Sequence, residues 1–278
     1  MRPPHFPVTQ IKGIYFKNPF VVLPRATELT FPNGRVTPEI LMFYKAFAQS
    51  EAAMVITGPA TILPPNSRKY SLLRVDQPKY LDGLRALCKI IQSNGAIPGV
   101  QVLHPGPFDA NRLLDGPVGL DWDLEPHVTD KLITMYRNAC ARSVEVGYRY
   151  VELNACDNFV LHRLLLDDHE DLVRNIFKAS VESMVETYIL GLRLHPGIPE
   201  LEKYARMFLS MGGDVIAYQE GAEHGLDLPS IRQVNMMQTI YELTPSRSVL
   251  NMMEFNALVG MPAAFPRKQR QVLSYFQG

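Results

Sequence analysis

Apolar residues along the chain follow two alternating rhythms. Short β-branched or aliphatic runs are each followed by a turn, and then by a longer stretch with apolar positions at helical spacing. Runs at Phe20 to Leu23, Ala53 to Thr57, Ile97 to Leu103, Tyr150 to Leu153, Tyr188 to Leu194, Asp214 to Tyr218 and Ser248 to Met252 predict seven strands. A helix is expected to open at Thr37. Thr37 can cap it, Pro38 suits the first turn, and Glu39 suits the positive end of the helix dipole. Further helices are expected over Lys79 to Gln92, from Thr129 to Gly147, and over Leu172 to Met184, Leu201 to Leu209 and Ile231 to Leu243. In the second of these, Leu132, Tyr136, Cys140 and Val144 recur at helical spacing.

Strands alternating with helices imply a parallel sheet with helical crossovers. The expected fold class is therefore α/β, a TIM-type (β/α) barrel forming one domain over residues 1–278. No run marks an eighth strand, because Phe255 to Gly278 reads as helix and tail. Either an eighth strand is present without a visible signal, or the barrel is incomplete and something else covers its gap.

Composition narrows the function classes. A chain of 278 residues suits one such barrel, and 46% hydrophobic residues suffice for its core. Lys plus Arg and Asp plus Glu number 28 each, so nothing argues for binding nucleic acid or an anionic membrane. No segment reads as a membrane span, and MRPPHFPVTQ has no apolar signal core. Cys88, Cys140 and Cys156 form no metal-ligand or redox motif. A reducing cytoplasm is the expected compartment, with an organelle matrix as the alternative.

In such barrels the loops after the strands build the site. That singles out Pro24, Ala60, Gln101, Asn154, Asp157 and Arg193. Alternation puts Leu190, Leu192 and Leu194 on the helix-facing side, and Gly191 and Arg193 inside the barrel. An inward guanidinium needs compensation. Parity alone leaves two readings open, an ion pair with inward Glu152 or a clamp on an anionic ligand. The Gln101 amide suits either a heterocycle edge or a structural hydrogen bond in the barrel mouth. His104 precedes Pro-Gly and reads as a turn residue. Asn154 and Asp157 can meet one substrate group, or serve only to fix a turn or cap a helix.

Taken in order, these segments resemble the Old Yellow Enzyme family of FMN-dependent oxidoreductases. Ile14 to Pro24 looks like the family's "LKNRIVMSP" entry, and Asn33-Gly34-Arg35-Val36-Thr37-Pro38 with Tyr44 its following loop and helix. Gln101 to Gly106 is similar to "QLxHxG", Gly147 to Phe159 to "GFDGVEIHxAHGY", and Leu192-Arg193-Leu194 to "VRL". The likeness covers roughly residues 11–220 and is strongest before residue 110. It implies that Pro24, Ala26 and Ala60 lie along a flavin ring, that Gln101 bonds its pyrimidine edge, and that Arg193 sits near N1 and O2. It further implies NADH or NADPH as reductant, and Asn154 and Asp157 as the catalytic pair facing the acceptor.

The departures are specific. Ala26 replaces the Thr or Cys that tunes the flavin, with Thr27 one step late. The family's donor pair of His with His or Asn becomes Asn154 and Asp157. The loop with the "RxDxYGG" run and a tyrosine donor is largely absent, since Leu164-Leu165-Leu166-Asp167-Asp168 runs into the next helix. Val249 to Glu254 has no glycine for a phosphate turn, leaving Arg247, Arg267 and Lys268 as the available cations.

Two functions compete. One is an FMN-dependent oxidoreductase passing hydride from NAD(P)H to an electron-poor small molecule. The other is a catalytically degenerate barrel, kept as a structural or interaction subunit with a protein partner in an oligomer or larger assembly. Met236, Met237, Met252 and Met253 could support such a contact surface, although methionines at that spacing are more often core. A non-redox lyase or isomerase is a third, weaker option.

Overall fold

The computed structural model describes residues 9–17, 21–24, 26–49, 52–63, 72–106 and 126–218. The expected helix at Ile231 to Leu243, the strand at Ser248 to Met252, the methionine cluster and the three carboxyl-terminal cations lie outside the described residues.

The elements run β1 (Thr9–Ile11), β2 (Ile14–Phe16), β3 (Val21–Val22), α1 (Pro38–Ala48), β4 (Met54–Thr61), β5 (Leu73–Arg74), α2 (Leu81–Ser93) and β6 (Ile97–Leu103). Then follow α3 (Pro126–Val146), β7 (Tyr150–Ala155), α4 (Val160–Leu166), α5 (Glu170–Glu182), β8 (Ile189–Leu194), α6 (Leu201–Ser210) and β9 (Val215–Tyr218). The main sheet has the order β3-β4-β6-β7-β8-β9, with β5 beside the end of β4. Every neighbouring pair in it is parallel. This is the curled parallel sheet and helical layer of a (β/α) barrel.

Helix α1 begins as its sequence predicts. The Thr37 hydroxyl accepts from the Ile40 N–H at 3.2 Å, with Pro38 in the first turn. Two boundaries differ from expectation. Helix α3 starts at Pro126, and Thr129 donates back to the Pro126 carbonyl within the first turn rather than capping it. Strand β4 continues past Thr57 to Thr61, so Ala60 lies within it. The Gly58-Pro59 pair forms a bulge where the β4–β6 register shifts. Gly58 has φ +116°, and a Cβ there would stand 2.9 Å from the Gln101 carbonyl oxygen. The Tyr44 hydroxyl accepts the Gly58 N–H at 3.0 Å and ties α1 to the bulge. The β1–β2 hairpin, β5 and α4 carry no clear periodic signal and were not expected.

Strand alternation separates two packing layers. Leu190, Leu192 and Leu194 join the cluster between strands and helices, with Val100, Val102, Val151 and Leu153. There Phe177 of α5 meets Phe208 of α6 edge-on at 5.1 Å. The inner layer holds Met54, Ile56, Tyr150, Ile189 and Val215, with Phe16 of the hairpin packed among them. Each fully buried aliphatic or aromatic side chain contributes about 1.5–3 kcal/mol.

Tyr150 is the pivot of that inner layer. Its neighbours in register are Gly99 on β6 and Ile189 on β8, and Gly191 stands diagonally across. A Cβ at Gly99 would lie 3.1 Å from the Tyr150 ring, and one at Gly191 only 2.2 Å from its hydroxyl. The ring therefore occupies space that only glycine leaves open. Gly191→Ala should displace Tyr150 and cost about 1–3 kcal/mol by overpacking. Urea unfolding checks this, and an unchanged midpoint would contradict the close approach.

Candidate active site

One polar layer lies directly above Tyr150. Register places Gln101 beside Glu152 and Asn154 beside Arg193. Glu152 is fully buried, and a buried carboxylate must be matched by donors. Arg193 supplies two of them, Nε at 2.7 Å to one carboxylate oxygen and Nη2 at 3.2 Å to the other. The Tyr150 hydroxyl donates at 2.8 Å, and the Gln101 amide N–H at 2.8 Å. Gln101 in turn accepts from the Asn154 amide at 3.0 Å, and the Asn154 oxygen accepts the Cys156 N–H at 2.8 Å.

Of the residues singled out in the sequence, the structure thus joins Gln101, Asn154 and Arg193. The ion pair with Glu152 that parity allowed is present. Pro24 stands just past β3 and is partly buried, while Ala60 is buried within β4. Ala26 is exposed and, with Thr27, Thr30, Tyr44 and Pro59, lines a small recess. Asp157 is exposed beyond the end of β7, whereas Asn154 is buried and turned into the network, so the two do not share one setting. Asp157 and Asn158 both adopt left-handed backbone, with φ of 56° and 57°. Tyr150 was not anticipated, although it shares the parity of Glu152.

Histidines ring the same end of the sheet. His104 accepts the Gly106 N–H at Nδ1, at 3.1 Å, which is the turn role its Pro-Gly context suggested. His162, in α4, accepts the Asn158 N–H at Nδ1, at 2.9 Å, and so braces the left-handed turn. Burial, with Lys131 nearby, lowers the His104 pKa to about 4. Burial also lowers His162 to about 4, with His195 and Arg163 adding to the effect. Among the described residues no group of three or more His, Cys, Asp or Glu is arranged to hold a metal ion. No helix there is long and apolar enough to cross a membrane.

Two outcomes follow from this geometry. Arg193→Met leaves the Glu152 carboxylate buried with less compensation and should cost about 3–5 kcal/mol of stability. Denaturant midpoints measure it, and a cost below about 1 kcal/mol would mean that Glu152 is solvated. The second concerns acid. His104 and His162 have native pKa values of about 4, against 6.5 ordinarily, so the unfolded chain binds more protons between those values. Their contribution is complete above pH 6.5 and is lost as pH falls toward 4. His104 alone should give a slope of up to about 1.4 kcal/mol per pH unit in that window. His104→Gln should flatten it when urea midpoints are compared across the window.

No protein-family model matches the chain. Among curated proteins, it is 20% identical over 169 residues to an NADPH dehydrogenase of Bacillus subtilis, covering 57% of this chain and 50% of that one. It is 21% identical over 224 residues to a probable NADH-dependent flavin oxidoreductase of the same organism, covering 70% and 60%. A metal reductase of Desulforamulus reducens matches at 22% over 176 residues, 58% of this chain and 25% of the relative. The chain therefore spans between a quarter and about three fifths of these relatives. Among solved structures, an Old Yellow Enzyme homologue from Zymomonas mobilis superposes with a TM-score of 0.69 at 16% identity, covering 84% of this chain and 80% of that one. Morphinone reductase gives 0.67 at 15%, covering 85% and 78%. At these identities the solved structures show the barrel fold, and the curated relatives show a distant similarity to an NADPH dehydrogenase and a probable NADH-dependent flavin oxidoreductase.

Proposed function

We propose that the chain binds a flavin, FMN, at the carboxyl ends of its strands, and passes hydride from NADH or NADPH to an electron-poor small molecule. The observation that carries this reading is the register-matched layer of Gln101, Glu152 and Arg193. Gln101 uses one N–H on Glu152 and accepts one hydrogen bond from Asn154. A primary amide has two N–H groups and two acceptor lone pairs, so one donor and one acceptor remain for an imide-like ring edge. The donor set therefore fits a flavin's pyrimidine edge. Glu152 fixes the plane of the Arg193 guanidinium through two bonds, which orients the cation before any ligand arrives.

Bound flavin would supply the hydride chemistry, and the protein would supply orientation and electrostatics. In this reading Pro24, Ala26 and Ala60 line the ring through backbone and small side chains. Asn154 has one amide N–H left for the acceptor beyond its bond to Gln101, whereas Asp157 stands apart at the exposed turn after β7. The acceptor oxygen therefore meets one donor where the resemblance implies a pair. Slow turnover of simple enones is expected for that reason, since losing one oxyanion donor costs about a hundredfold or more. The names of the curated relatives, an NADPH dehydrogenase and an NADH-dependent flavin oxidoreductase, support the reductant and the cofactor class.

One observation favours the alternative of a barrel retained as a subunit without turnover. Glu152 already neutralises Arg193, so a reduced flavin gains less from that cation than from an unpaired one. A single experiment separates the two. The full chain is titrated with FMN, following flavin fluorescence and thermal unfolding, and then assayed with NADPH and cyclohexenone. The oxidoreductase reading expects stabilisation of about 2.7 kcal/mol at a hundredfold excess over Kd. Gln101→Leu should weaken binding about tenfold, the loss of one or two hydrogen bonds. Turnover well below about 1 per second is expected. No binding signal at any FMN concentration leaves the subunit reading.

A further inference from the structure

We propose that His162 and His195 form a binding site for a small carboxylate at the carboxyl end of the sheet, separate from the Gln101–Glu152–Arg193 layer. The two imidazoles lie 4.9 Å apart between ring centroids. His195 directly follows β8, and its N–H extends the ladder to the Ala155 carbonyl of β7. His162 reaches the same place from α4, the helix after β7.

The backbone sets the tautomers. Nδ1 of His162 accepts the Asn158 N–H, and Nδ1 of His195 accepts the Gly197 N–H at 3.0 Å. Both Nδ1 atoms therefore present lone pairs, and in a neutral imidazole the proton then sits on Nε2. Each ring offers an Nε2–H donor. That of His162 is buried and meets no acceptor among the described residues, although His162 is only 4% exposed. An unpaired buried N–H is costly, which marks it as a group awaiting a ligand.

Three occupants compete for these donors. A metal ion would need Nε2 lone pairs, but the backbone already holds both rings in the opposite tautomer. An N–H···π contact between the rings would need one ring close to perpendicular to the other, and they are tilted by 40°. An oxygen acceptor fits. With Nε2 about 1.1 Å from each centroid, the donors lie within about 7 Å of each other, and a carboxylate accepting two bonds of about 2.9 Å bridges that span. Arg163 is paired with Asp167 at 3.2 Å, so the choice of a carboxylate over a neutral carbonyl rests on the two separated donors, which two oxygens bridge better than one.

The test is an NMR titration of the ¹⁵N-labelled full chain with sodium benzoate, without flavin, against sodium chloride at equal ionic strength. Long-range imidazole spectra should show Nε2–H on both rings, and benzoate should move both sets of signals while chloride does not. His195→Phe should weaken benzoate binding about tenfold or more. His195→Gln, which keeps an amide donor, should recover most of it. His162→Phe is the less informative variant, because it also removes the brace on Asn158. The proposal is overturned if either ring carries its proton on Nδ1, if benzoate leaves both rings unmoved, or if His195→Phe binds benzoate as tightly as the parent. Because the titration contains no flavin, it returns the same answer whether or not FMN binds.

Discussion

A carboxylate with no access to water is the constraint on which the inner half of this protein depends. Glu152 cannot sit inside a barrel unless its oxygens are surrounded by donors, and the donors must come from adjacent strands. That requirement places Arg193 one strand away and Gln101 on the other side, at the register the ladders give. It also sets the layer beneath. The Tyr150 hydroxyl reaches Glu152 only because its ring lies across Gly99 and Gly191, where side chains would collide with it. One buried charge thus dictates an arginine, an amide, a tyrosine and two glycines on three strands. The hydrophobic floor below them, from Met54 to Val215, needs no such specificity.

The rim is built by a different and more local rule. Four strand ends are closed by a side chain that accepts the N–H two residues on. Thr61 does so from Leu63 at the end of β4, and His104 from Gly106 after β6. Asn154 does so from Cys156 in β7, and His195 from Gly197 after β8. Such bonds satisfy a backbone donor at the point where the ladder stops, and they fix the first turn of each loop. The same device decides which ring nitrogen of each histidine carries the proton. A turn-forming habit thereby becomes a chemical property of the rim, since neutral histidines locked this way can only donate from Nε2.

How far the sequence foretold all this depends on the length scale of each interaction. Alternation within one strand was enough to put Leu190, Leu192 and Leu194 outside and Arg193 inside, because parity is a local property of β structure. Parity also made Glu152 the candidate partner of Arg193. The role of Tyr150 was hidden, although it has the same parity as Glu152, because it rests on glycines from two other strands. His162 and His195 were hidden for a similar reason. Their rings meet only through the packing of α4 against β7 and the β7–β8 ladder. The extension of β4 beyond Thr57 was hidden too, since Gly58-Pro59 interrupts the apolar run while pairing with β6 and β5 carries the strand on to Thr61. The α3 start at Pro126 shows the ordinary uncertainty of helix ends, where a first-turn proline outweighed a threonine cap.

The two rules meet at Asn154. Its oxygen serves the rim by holding the Cys156 N–H, and its amide nitrogen serves the inner layer through Gln101. Movement of the turn beyond β7 is therefore transmitted through one side chain to Gln101, and through Gln101 to Glu152 and Arg193. That turn is itself under strain, with Asp157 and Asn158 in left-handed backbone and His162 bracing the second of them. Left-handed conformations cost non-glycine residues of order 1 kcal/mol or more each, and persist only where surrounding bonds over-determine them. Here those bonds come from His162 below the turn and Asn154 before it. A ligand that engaged the His162 ring would consequently act on the same chain of contacts that orients the Arg193 guanidinium, by way of a single strained turn.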